Sequence, residues 1–315
     1  MKFLGYDEID QRDAYVLSMM AFGWPLTPIR LEKRVKYDDR WFDDSLLYAA
    51  VKGKAISQIA GLRIPTRTAD GEETILGVAG VATLPSYARK GYSIKLFQEL
   101  HKRFREEGMG VAFLCTAKSL VAYDLYRKFD YKDCMFFPRA VRPLVRRKKP
   151  KGIIFRRYWK KDAPDIDAVY GRFTRGLFGF VLRQKDYIGA RMKIWKGLKD
   201  RLSVVETDKG TCGYVMKREM EGDVVLDEFV VPSVRNADRV LRNLESQEKG
   251  DYILAHSFAG KKQTDHFKSR GYKLTPESWD VCMVAPLSKS LSHRELSRLY
   301  QFKEGNFCMM GLDTF

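Results

Sequence analysis

The chain contains no long apolar run. Its longest candidates, such as Leu46–Val51, fall far short of the roughly eighteen residues that a membrane span requires. Five cysteines, at 115, 134, 212, 282 and 308, are odd in number, widely spaced and without a CxxC pair. That excludes a disulfide framework and a zinc site, and it leaves reduced thiols and no expected metal. Histidine is scarce, with four in 315 residues. The opening Met1-Lys-Phe-Leu-Gly-Tyr-Asp-Glu turns acidic at once and lacks a signal-peptide core. A cytoplasmic globular protein without membrane association is the expectation.

What is present points to a sizeable core. Apolar residues make up 45% and aromatics 13%, which excludes disorder as the main description, and the length suits two domains. Lys and Arg number 57 against 40 Asp and Glu, leaving +17, a field that attracts anionic ligands. Ten of the twenty residues 142–161 are basic, interrupted by Pro143 and Pro150 at the midpoint of the chain. No aromatic is interleaved within 146–151, so the block reads as a solvated interdomain linker in preference to a nucleic-acid patch.

The first half shows a clear order of elements. A helix from about Asp10 to Phe22 meets the breaker Gly23-Trp24-Pro25, and a second helix follows over 27–35. Strands are expected at 46–51, 55–63 and 73–82, with turns at 52–54 and 68–71. Ile94, Phe97, Leu100 and Phe104 mark an amphipathic helix over 91–107. A strand at 111–116, a helix at 119–129 and a strand to about 137 complete a mixed α/β sheet with one crossover. His101 falls beside the Leu100/Phe104 face; His256, His266 and His293 lie far along the chain.

The sharpest feature lies in that crossover. A strand, Pro85 and then Arg89-Lys90-Gly91-Tyr92-Ser93 lead straight into the helix. A helix start presents unpaired N–H groups and the positive end of its dipole to a phosphate. Gly91 permits close backbone approach, and Arg89 and Lys90 add charge. This is a pyrophosphate-binding loop by its chemistry.

Ala88-Arg89-Lys90-Gly91-Tyr92-Ser93 resembles the loop of the GNAT superfamily of N-acetyltransferases, with Ala88 departing from the first basic position. Leu125-Tyr126-Arg127-Lys128-Phe129-Asp130-Tyr131 resembles the family's Tyr-x-x-x-Gly-Phe/Tyr signature, with Asp130 in place of glycine. The resemblance covers about residues 10–140. It implies acetyl-CoA as cosubstrate, with the pyrophosphate on Arg89, Lys90, Gly91, Tyr92, Ser93 and Ile94. The acetyl and pantetheine arm would lie along Val81, Ala82 and Thr83, with Thr116, Ala117 and Lys118 facing the same cleft. Tyr126 would protonate the leaving thiolate.

The second half repeats the order as a degenerate copy. Strands at 202–206, 213–219 and 224–231 precede Pro232, Ser233 and a helix through Val240, Leu241 and Leu244; a strand at 252–256 and the segment 265–274 follow. Laying Pro232 on Pro85 places Asp238 at the position of Gly91, and laying Phe267–Tyr272 on Tyr126–Tyr131 removes the hydroxyl. A tandem of active and inactive copies resembles the enhanced intracellular survival (Eis) family, and N-myristoyltransferases share the double layout. In both, the chain's own C-terminal carboxylate enters the first site as base, which implies Phe315 here, at the end of an apolar tail. Unlike the Eis-like proteins, this chain has no full sterol-carrier-like domain before that tail.

The expected division is a catalytic domain at 1–145, a degenerate domain at 146–285 and a tail at 286–315 reaching the first site. The implied activity is direct acetyl transfer to a primary amine, on an aminoglycoside-like molecule or a protein lysine, and the resemblance also implies a homo-oligomer. Asp39, Asp43, Asp44 and Asp313 are candidate carboxylates for a cationic acceptor. Two alternatives stay open: a basic binding module without turnover, and aminoacyl transfer from a tRNA. Intact Arg89-Lys90-Gly91 with Tyr126 favours the acetyltransferase.

Overall fold

Local capping sets the first elements. In the computed structural model, which describes residues 1–136, 138–144, 149–247, 250–256, 259–275, 278 and 280–313, Asp10 accepts from the Arg12 N–H to start the helix Gln11–Phe22. Gly23 ends that helix in the left-handed region. Thr27 caps the next helix, Pro28–Tyr37, whose first residue has no N–H to leave unsatisfied. Lys52 and Gly53, both at positive φ, turn Leu46–Val51 back into Lys54–Thr68. Gly71–Thr83 pairs antiparallel with that strand along most of its length. The helix Tyr92–Glu106 then buries Leu96, Phe97, Leu100 and Phe104 and returns the chain to Val111–Ala117, parallel to Gly71–Thr83. These elements follow the sequence pattern closely.

The sheets do not respect the midpoint of the chain. In the first sheet the strand after Val111–Ala117 is Asp280–Pro286, which pairs antiparallel with it throughout and separates it from Lys132–Phe136. In the second sheet Ala140–Pro143 lies between Tyr252–Ala255 and Lys273–Leu274. Each half therefore completes its sheet with a strand from the other. The sequence reading assigns 140–143 to the first half and 280–285 to the second, and the pairing reverses both. Alternating apolar character marks a strand but says nothing of its partner.

The basic block also has more structure than a linker. Ile154–Arg157 forms the edge strand of the second sheet, beside Leu202–Thr207. Arg142 pairs with Glu245, Arg156 with Asp162 and Glu206, and Arg157 with Asp200. Arg146, Arg147 and Lys148 lie outside the described residues. Among those described, no helix is long and apolar enough to cross a membrane.

The second half repeats the first in detail. Tyr131 N–H donates to the Tyr126 carbonyl, and Tyr272 N–H donates to the Phe267 carbonyl in the same way. The Phe267 ring packs against Tyr272 as Tyr126 does against Tyr131. Gly271 is at positive φ, and so is Asp130 in the corresponding place. Asp tolerates that conformation better than most residues, and here its carboxylate also meets His293 Nε2 at 3.1 Å.

His101 is buried on the crossover helix with Nε2 3.0 Å from the Tyr131 hydroxyl. Burial, and then Arg105, push its imidazole down to about 4. The unfolded chain takes up a proton near pH 6.5 that the folded chain refuses until about pH 4, so stability falls as pH drops through that window. The contribution of His101 should approach about 3 kcal/mol. His101→Gln should flatten the slope of unfolding free energy against pH between 6.5 and 4; an unchanged slope would show that this histidine is not the group titrating.

Candidate active site

A glycine opens the cleft. Gln58 stands opposite Ala82 but Ala60 stands opposite Ala79, so Gly80 and Val81 face a single residue, Ile59. Gly80 takes positive φ at this bulge and its carbonyl accepts from Gln58 Nε2. The strand bends there. Gly71–Thr83 and Val111–Ala117 pair only at Leu76–Ala112 and Gly77–Phe113, then diverge. The far edge of Val111–Ala117 is paired with Asp280–Pro286, so the backbone groups facing the gap have no strand partner. Val81, Ala82 and Thr83 line one side of that gap, and Thr116 and Ala117 the other. The Lys118 ammonium is drawn aside to Asp133, over the Phe136 ring.

At the open end, Pro85–Tyr87 forms a 3₁₀ turn and Arg89 and Gly91 both adopt positive φ. Gly91 caps the helix Tyr92–Glu106 without a side-chain acceptor, and a Cβ there would meet nothing within 4 Å. The constraint is therefore conformational. Three hydroxyls tie the loop to the strand: buried Ser57 lies 2.7 Å from Thr83, and Thr83 lies 2.8 Å from Ser93. Lys90 Nζ donates to the Ser86 carbonyl and sits over the Tyr87 ring, which meets Tyr92 edge-on. Ile94 is exposed beside them. The structure thus brings the strand end, the loop and the helix start to one cleft mouth. Ser57 is absent from the sequence reading, and so is Gly80, although an isolated glycine within a strand pattern is a bulge signal.

Tyr126 is buried against Phe97 and Tyr131, in the apolar cluster that includes Val78 and Leu114. Burial raises its phenol to about 12. Among the described residues its hydroxyl has no hydrogen-bond partner, so it is a proton donor without a competing acceptor. His101 is neutral and occupied by Tyr131, and does not compete as a base.

The C-terminal segment reaches the opposite face of the same strands. Met309 Sδ lies 3.9 Å from Cys115 Sγ on the diverging strand. The chain then enters a buried charged network: Asp313 meets Arg183 Nε at 2.8 Å, and its carbonyl accepts from Arg40. Asp313 is thereby unavailable to an acceptor amine, which corrects one of the four candidate carboxylates; Asp44 pairs with Arg63 but stays exposed. Asp39 lines a cavity of about 620 Å³ between the halves, together with Glu72 and Asp167. Thr314 and Phe315 lie outside the described residues.

The degenerate copy differs from expectation in how it lost the loop. Its strand Asp223–Val230 is followed by only 231–233 before the helix Val234–Gln247 begins. Ser233, not Asp238, stands where Gly91 does. Asp238 lies within the helix, near Arg270 and His266. A missing loop, not a repelling carboxylate, distinguishes the second half.

Residues 6–134 match the family model of the acetyltransferase (GNAT) domain. Solved structures extend the likeness across both halves. A probable N-acyltransferase from Enterococcus faecalis superposes with a TM-score of 0.70 at 17% identity, covering 91% of this chain and 72% of that one. Eis1 from Mycobacterium abscessus gives 0.62 at 16%, covering 91% and 74%. N-myristoyltransferase from Saccharomyces cerevisiae, solved with myristoyl-CoA, gives 0.60 at 10%, covering 98% and 89%. At these identities the likeness is one of fold, and it spans both halves of the chain. No curated protein matches the chain.

The hydroxyl chain gives a direct test of this loop's anchorage. Thr83→Val keeps the shape but removes the link between Ser57 and Ser93, and should cost about 1 kcal/mol of stability. Denaturant unfolding that shows no loss would mean the chain does not hold the loop.

Proposed function

We propose that this protein is an acetyl-CoA-dependent N-acetyltransferase acting directly on a primary amine in a ternary complex. The observation that carries this reading is the pair of diverging strands opening onto an N–H-rich helix start. Unpaired backbone groups along Val81–Thr83 suit the amides of a pantetheine arm, and residues 89–94 suit a pyrophosphate. The amine nitrogen attacks the thioester carbonyl, forms the amide bond and loses a proton to a base. The carbon–sulfur bond breaks, and the thiolate takes the proton of Tyr126. With its phenol near 12, Tyr126 stays protonated at neutral pH and can donate. A small cationic molecule and a protein lysine are both acceptors of this class.

The base in this reading is the terminal carboxylate of Phe315. Support comes from the tail, which passes Cys115 on the cleft strand and remains buried to Asp313 between the halves. A free α-carboxyl titrates at about 3.3–3.7, so it acts as a base when burial raises it. The chain then divides into a catalytic half, a supporting half and a tail from 286 that supplies the base, with strands 140–143 and 280–286 exchanged between the halves.

Acetyl-CoA should stabilise the folded protein by about 2.7 kcal/mol at a hundredfold excess over Kd, read as a rise in Tm. Gly91→Asp should abolish the rise; an undiminished shift would place the phosphate site elsewhere. Deleting Phe315 should lower kcat by roughly 10²–10⁴-fold while leaving the acetyl-CoA shift intact. Full turnover by the deletion variant would remove the terminus from the mechanism. Tyr126→Phe should lower kcat without abolishing an alkaline limb below pH 10, because Tyr126 does not titrate there.

A further inference from the structure

The second half also has diverging strands. Asp223–Val230 and Tyr252–Ala255 pair in parallel only from Val224–Ile253 to Leu226–Ala255. Here the gap is bridged: Gln263 Nε2 donates to the Phe229 carbonyl and its Oε1 accepts from the Ala259 N–H. A long arm laid along that strand would find those bonds taken. Two adjoining cavities remain beside the bridge. One, of about 120 Å³, has a floor that includes Phe229, Val231 and Ala237; the other, of about 650 Å³, is a polar groove lined by Thr211, Ser233 and Asn236. Arg172 and Pro232 line both, so the cavities are neighbours.

The charge around them is one-sided. Arg172, Arg175 and Lys262 rim the apolar pocket, and Lys209 and Arg235 line the groove. Among the described residues none of these five has a carboxylate partner, whereas Arg142, Arg156 and Arg157 in the same half are all paired. Among the described residues Asp208 is the groove's one acidic lining residue, and the apolar pocket has none. Unpaired cations around a polar groove attract phosphate. Among the described residues no aromatic lines the groove to stack a base, which disfavours a nucleic acid. The apolar pocket approaches the volume that accepts a benzene-sized group, about five or six carbons.

We propose that the second half carries a separate site for a small diphosphate with a short apolar arm, the phosphates in the groove and the arm against Phe229 and Val231. The site is independent of acetyl transfer. Short-chain prenyl diphosphates have this chemistry, and dimethylallyl diphosphate is a suitable probe. Isothermal titration of the intact protein should show one binding event for it, at least tenfold tighter than inorganic pyrophosphate. Arg235→Glu and Arg172→Glu, both exposed substitutions, should each weaken it at least tenfold. Val234→Asp, which sets a carboxylate at the exposed mouth of the apolar pocket, should weaken it as well. Gly91→Asp should leave it unchanged. Absence of binding at millimolar probe would overturn the proposal. So would loss in Gly91→Asp with retention in Arg235→Glu, which would assign the ligand to the first half. Pyrophosphate binding as tightly as the probe would overturn the role of the apolar pocket, and tighter binding of a short RNA would overturn the ligand class.

Discussion

The exchange of strands between the halves is the constraint from which the site follows. Asp280–Pro286 satisfies one edge of Val111–Ala117 along its full length, which holds that strand in the sheet while its other edge is left unpaired beyond Phe113. Without it, the backbone of a diverging strand would be unsatisfied on both sides, at a cost the fold could not sustain. The inserted strand also fixes what comes after it. The helix His293–Tyr300 lies back on the first half, with Arg298 on Asp70 and the Tyr300 hydroxyl on Glu73. Met309 thereby arrives beside Cys115. One pairing both keeps the cleft open and delivers the tail to it.

A buried set of charges fixes the end of that path. Arg183 bonds Asp313, Glu228 and the Tyr214 hydroxyl while lying over the Tyr170 ring. Arg40 bonds Asp38 and the Asp313 carbonyl, and Arg191 also bonds Asp38. Three arginines thus face three carboxylates from both halves and the tail. A buried pair seldom adds much net stability, but removing one partner leaves a costly lone charge. The network is better understood as fixing position: Leu312 N–H and Tyr187 hydroxyl add directional bonds to the same turn. Few other arrangements satisfy all of these groups at once.

Local chemistry was legible in the sequence wherever it acts over a few residues. The helix starts near Asp10 and Thr27, the turn at Lys52–Gly53 and the helix start after Gly91 all depend on near neighbours, and the structure has them where the sequence puts them. The exchanged strands depend on partners more than a hundred residues away, which no periodicity encodes. The equivalence of Asp238 with Gly91 failed for a related reason. It assumed equal loop lengths after the proline, yet loop length is what differs between the copies. Ser57 gave no signal because a buried hydroxyl acquires meaning only from what it touches.

The two halves show how one framework separates into two kinds of site. In the first, residues 84–91 give the chain enough length to curl around an anion, and the gap between strands is unfilled. In the second, 231–233 are too short to curl, and the Gln263 amide occupies the bonds that a ligand's own amides would seek. A thioester needs both the loop and the free strand, so the second half is unsuited to it on two separate grounds. Neither loss removes the cations around Arg172 and Arg235, nor fills the pocket at Phe229. Among the described residues Arg172 and Arg235 have no carboxylate partner, whereas Arg156 and Arg157 of the same half are paired. Their isolation beside an open polar groove favours an anion that comes from outside the chain.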